Sequence, residues 1–154
     1  MSMGRRKGTQ PSLWVACNEI RQGPRHRFYE KLNELLREAD FDRKAEALCS
    51  VHYESDTTPG RRSVAPGVYF RMHMVGYFEG IESERGIEWR CADSLSLRGF
   101  LGLEITDRVP DHSTLSRTRK RLPSEIHHAV FGIVLKMVEG KGLLKGRVLG
   151  VDST

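Results

Sequence analysis

Apolar residues recur at helical spacing along most of the chain. Phe28, Leu32, Leu35, Leu36 and Ala39 stand at i, i+4, i+7, i+8 and i+11, one stripe of an amphipathic helix whose start is marked by Gly23 and Pro24. Asp40 or Asp42 suits the cap of a second, shorter helix carrying Ala45, Leu48 and Cys49, and the turn-rich YESDTTPGRRS at 53–63 reads as a surface loop. Pro66 fits a first helical turn. The run VYFRMHMVGYF after it places Val68, Met72 and Val75 on one face with Tyr69, Met74 and Phe78 around the sides, so this helix is expected to be the central and most buried one. Its methionines and aromatics read as core, and His73 as structural.

ESERGIEWRCAD and SLSLRGFLGLE predict two further helices, with Ile87, Trp89, Cys91, Leu97, Phe100 and Leu101 inward and Gly102 near the exit. After a turn at ITDRVP comes the segment 110–122, then a long helix from about Ser124 whose stripe is Ile126, Val130, Ile133 and Met137 and whose end is Gly140-Lys141-Gly142. Strand texture enters only in RVLGVDST, where a short β-branched and apolar run finishes at Asp152. The fold class is therefore mainly α.

The segment PDHSTLSRTRKRL at 110–122 changes the picture from fold to chemistry. Asp111 is a good N-cap after Pro110, and Leu115 and Leu122 give the inward seam. Opposite them stand Ser113, Arg117 and Lys120, flanked by Thr114, Ser116 and Arg121. Arginine can contact guanine with two hydrogen bonds, hydroxyls can reach phosphates or bases, and a helix N-terminus favours phosphate. With the preceding SLRGFLGL helix the segment outlines a helix-turn-helix, although the connection exceeds the usual turn of about three to four residues. On residues alone, a groove-reading helix and a solvated basic face both fit.

A length of 154 residues suits one main domain. The hydrophobic fraction of 38% and mean hydropathy of −0.47 are somewhat polar, but the apolar residues cluster into periodic segments and so predict folded structure. The net charge of +5 and a pI near 9.3 favour an acidic partner such as nucleic acid. Arg5, Arg6 and Lys7 lie among Gly, Ser and Pro in a region, 1–25, expected to be a flexible basic arm that is either a solvated tail or a DNA contact. Three widely spaced cysteines, Cys17, Cys49 and Cys91, form no C-x-x-C pair, which argues against a disulfide framework or thiolate zinc site and fits a reducing cytoplasm. No run approaches the roughly 20 apolar residues of a membrane span, and no apolar core of a signal peptide is visible, so a cytoplasmic location without membrane partners is expected. The six histidines show no ligand spacing, and no P-loop or G-x-G-x-x-G occurs.

Taken in order, FYEKLNELL, APGVYFRMHMVGYFEGI, ESERGIEWRCAD, SLRGFLGLE, PDHSTLSRTRKRL and VLGVDST resemble the InsH-type group of insertion-sequence DDE transposases over residues 26–154. The resemblance implies an all-helical DNA-binding domain at 26–140 that binds the element's terminal repeats. A linker and the first strand of a ribonuclease H-like domain would follow at 141–154. It assigns Asp152 as the first catalytic aspartate and, in an intact enzyme, as a ligand of Mg²⁺; two metals held by clustered carboxylates would activate the attacking oxygen. No counterpart of the second Asp or of the Glu follows Thr154. The expectation is thus a truncated transposase fragment, without a cofactor of its own and inactive alone. Its DNA-binding residues would be Ser113, Thr114, Ser116, Arg117, Lys120 and Arg121. Its partners would be double-stranded DNA and a second copy or intact transposase. The alternatives are a non-enzymatic regulator competing for the element's ends and a helical protein-interaction module.

Overall fold

Every regular element is helical in the computed structural model, which describes residues 26–53 and 63–142 together with Ala16 and Ile20. The helices are α1 (Arg27–Glu38), α2 (Phe41–Cys49, extended by a 3₁₀ turn at Ser50–His52), α3 (Pro66–Glu79), α4 (Glu84–Ala92), α5 (Leu95–Leu101), α6 (His112–Arg121) and α7 (Ser124–Gly140). The mainly α class holds. The expected basic arm apart from Ala16 and Ile20, the Gly23-Pro24 start signal, residues 54–62 of the expected loop and the strand ending at Asp152 lie outside the described residues.

α3 is the central helix, as its sequence predicts: Tyr69, Phe70, Met72 and Val75 are buried in it, and α2, α4 and α5 all pack on it. A helix apolar on all sides has no stable place except inside. Arg71 is buried there as well, which its charge did not announce. Its guanidinium forms a two-pronged ion pair with Asp42 of α2, reaches Asn33 Oδ1 of α1 at 3.3 Å and lies over the rings of Phe41 and Phe100. Asp40 occupies the N-cap of α2 in a left-handed conformation, but its side chain turns to Arg43 and makes no capping bond, while Asp42 pairs with Arg71.

Two inward assignments are corrected. The buried stripe of α1 is Tyr29, Leu32 and Leu36, and Phe28 is 44% exposed. Tyr29 takes the inward place because its hydroxyl finds an acceptor, Glu79 Oε1 at 2.9 Å, at the edge of the core. Trp89 is 66% exposed, since Ile87 and Cys91 are the buried residues of α4 and a residue midway between them points the opposite way. Cys49 and Cys91 are free and buried, and burial pushes the Cys91 thiol up to about 12, which leaves it inert. α7 lies against α1 and α2; of its predicted stripe Val130 is buried, and Ile126, Ile133 and Met137 are partly buried against the core. Tyr69 Oη also lies 2.9 Å from His127 Nε2, with His127 Nδ1 3.1 Å from the Pro123 carbonyl oxygen, so the ring donates through Nδ1 and accepts at Nε2. No helix among the described residues is long and apolar enough to cross a membrane.

Candidate nucleic-acid interface

α6 is held along one side by Leu115, Thr118 and Leu122, all buried, and it packs chiefly on α4. Residues 102–111 separate it from α5. Both α5 and α6 pack on α4, which is the main support of the candidate reading helix. The reason is electrostatic as well as apolar. Glu88 of α4 accepts from the backbone N–H of His112 at 2.9 Å and from its ring at 2.7 Å. One turn earlier, Glu84 Oε1 lies 3.2 Å from Arg119 Nε, close enough for attraction though not aligned as a hydrogen bond. Two carboxylates a turn apart on α4 therefore fix how α6 is rotated about its own axis.

Asp111 caps α6 as its sequence predicts, accepting from the Thr114 N–H at 2.7 Å and from the Ser113 hydroxyl at 2.6 Å. The Ser113 hydroxyl and then the Thr114 N–H hold the Asp111 carboxyl well below the usual carboxylate range, and the His112 N–H and ring lower that of Glu88. The N-terminus of α6 thus meets negative charge supplied by the protein itself, at the His112 and Thr114 N–H groups. Its first-turn N–H groups already face two carboxylates, so the positive end of the helix is neutralised within the protein.

Positive charge is left on the rest of the surface. Ser113, Arg117, Lys120 and Arg121 are exposed, while Thr114 and Ser116 are half-buried. Arg117 Nη2 lies 3.1 Å from Thr114 Oγ1, and Arg121 stacks over the Tyr53 ring at 4.9 Å and reaches Ser63 Oγ at 3.4 Å. Lys120 makes no hydrogen bond or ion pair among the described residues. Arg119, by contrast, is drawn to α4. Thr114, Arg117 and Arg121 also line an open cleft of about 380 Å³ together with Ser63 and Arg108. Arg108 is the residue that sequence reasoning missed, because it belongs to a turn and carries no helical periodicity. The turn itself is organised by Arg98, whose guanidinium sits among the carbonyl oxygens of Glu104, Ile105 and Asp107, after Gly102 (φ 72°) has ended α5 in a left-handed conformation that favours glycine. Asp152, the expected catalytic residue, lies outside the described residues.

A family model described as Transposase domain (DUF772) matches residues 18–121. The chain belongs to this transposase-domain family. No curated protein and no solved structure matches it. The transposase domain thus contains α1 to α6 and ends with the last residue of α6, so both the Arg71–Asp42 link and the α4–α6 unit are internal to it.

Proposed function

We propose that this chain is the helical DNA-binding part of an InsH-type insertion-sequence DDE transposase, and that α6 holds the terminal repeats of the element. The observation that carries the reading is the rotation of α6. Seated by Leu115, Thr118 and Leu122 and pinned by Glu84 and Glu88, it turns Ser113, Arg117, Lys120 and Arg121 to solvent as one basic and hydroxylic surface within a transposase domain. Such a surface suits duplex DNA, where guanidinium groups contact guanine edges and phosphates, and the net charge of +5 supports steering toward it. In the same reading Asp152 is the first acidic residue of the catalytic triad and shares in Mg²⁺ binding in an intact enzyme, and the chain associates with a second copy or with intact transposase at the element's ends. Among the described residues no three His, Cys, Asp or Glu side chains could hold a metal ion. The function proposed for the helices is binding.

The test is a titration of the chain and of an Arg117→Ala/Lys120→Ala variant against labelled duplexes taken from the DNA flanking its gene, over a range of salt. The expected result is sequence-selective binding that weakens steeply as salt rises and that the variant loses. Equal, weak binding by both proteins refutes the reading and favours a protein-interaction module with a solvated basic face.

A further inference from the structure

The cleft beside α6 gathers more positive charge than the helix face requires. Arg117 and Arg121 come from α6 itself, Arg108 from the turn that Arg98 organises, and Ser63 and Thr114 add hydroxyls at its rim. Asp111 is the one carboxylate among the lining residues, and its Oδ1 is committed to Ser113 and Thr114 within the helix cap. Three guanidinium groups sharing one concavity repel each other unless an anion enters. Arg108 makes no hydrogen bond or ion pair among the described residues, and the single Asp111 carboxylate offsets only part of the charge of three guanidinium groups.

We propose that this cleft seats one backbone phosphate of bound duplex DNA, gripped by Arg108, Arg117 and Arg121. The proposal rests on the DNA-binding reading and divides α6 into two working edges. Successive residues advance by about 100° around a helix, so Thr114, Arg117 and Arg121 fall within about 60° of one another on the cleft side, and Ser113, Ser116 and Lys120 within about 60° on the neighbouring side. The first edge grips phosphate and sets the register of the helix on the duplex; the second faces the bases. Guanidinium chemistry favours this assignment, because its planar fork of N–H donors matches phosphate oxygens. A base is disfavoured in the cleft, since none of its described lining residues is an aromatic on which it could stack. A cation is excluded by the charge of the lining.

Arg108→Gln and Lys120→Gln variants of the whole chain test the division. Both residues are exposed and make no hydrogen bond or ion pair among the described residues, and matching thermal melting curves verify that the variants fold like the parent. Binding is measured to the flanking duplex and to an unrelated duplex of equal length, across salt. Arg108→Gln is expected to weaken both by the same factor, about tenfold, and to lower the slope of log K against log salt by roughly 0.9, the value of one phosphate contact. Lys120→Gln is expected to lower the ratio between the two duplexes. Parent binding with an unchanged Arg108→Gln variant, or a loss confined to the flanking duplex, overturns the phosphate seat while leaving DNA binding intact. If the parent binds neither duplex, DNA is overturned as the source of the phosphate. Titration with inorganic phosphate, followed at the arginine Nε–H resonances, then decides the cleft itself: shifts at Arg108, Arg117 and Arg121 keep it as an anion seat, and none removes it.

Discussion

Replacing Gly67 by alanine should destabilise this protein, against the usual rule for glycine in a helix. Alanine is favoured over glycine by up to about 1 kcal/mol in a helix interior, and Gly67 lies in the first turn of α3 with no positive φ to protect. A Cβ there, however, would stand 1.9 Å from Asp42 Oδ1 and 3.0 Å from Arg71 Nη1. The Asp42 carboxylate must swing away, and Arg71 loses its counter-charge while keeping only Asn33 Oδ1, the Gly67 carbonyl and two ring faces. Stripping a buried ion of its partner costs about 3–5 kcal/mol. The Asp42 side chain is 54% exposed, so water reaches the pair and about 2–3 kcal/mol is the fitting range. After the helix gain is subtracted, about 1–2 kcal/mol of net destabilisation remains. Urea unfolding of the parent, Gly67→Ala, Asp42→Ala and the double variant reads this as a cycle. In the Asp42→Ala background the carboxylate is gone, and Gly67→Ala should become neutral or stabilising. A stabilising Gly67→Ala in the parent, or a coupling energy near zero, refutes the reasoning.

Three further outcomes are expected. His73 is pushed down to about 4, first by burial and then by the nearby His127 and Arg119, and its Nε2 has no hydrogen-bond partner among the described residues. Below its unfolded value of about 6.5 the unfolded chain takes up a proton that the folded one refuses, so stability falls from about pH 6.5 toward pH 4. His73→Phe should flatten that limb, and an unchanged pH profile in melting experiments would contradict it. Asp111 and Glu88 are both lowered in the folded state, so their contribution is full above the unfolded carboxylate values near pH 4 and is lost as pH falls below them. Asp111→Ala should cost about 1 kcal/mol at neutral pH through the lost cap, and that cost should shrink in acid; a pH-independent difference would sink the linkage. Arg98→Ala should release the carbonyls of residues 104, 105 and 107, raising amide exchange over 103–108 and weakening DNA binding through Arg108 without melting α6. Unaltered exchange in that turn would show that Arg98 does not organise it.

Much of the fold was legible because its determinants are local. The caps and breaks at Pro66, Gly102, Asp111 and Gly140 are short-range signals, and the seam of Leu115 and Leu122 told which side of α6 would be inward before any partner helix was known. The failures are equally specific. Phe28 and Tyr29 are neighbours of similar size, and the choice between them depended on an acceptor, Glu79, fifty residues away. Trp89 reads as inward from its apolarity, although its spacing from Ile87 and Cys91 puts it on the far face.

The amino-acid sequence by itself determined that this protein is a set of amphipathic helices, that α3 is the buried one, and that residues 112–121 form a capped helix with an apolar back and a basic front. Tertiary structure decided what that front is able to do. Glu84 draws Arg119 aside, Asp111 and Glu88 silence the helix N-terminus, and the turn held by Arg98 brings Arg108 beside Arg117 and Arg121. Helical periodicity is set by each residue and its near neighbours, and so can be read along the chain. Charge is compensated through space, by whichever side chains the packing of α4 on α6 happens to bring within a few ångströms.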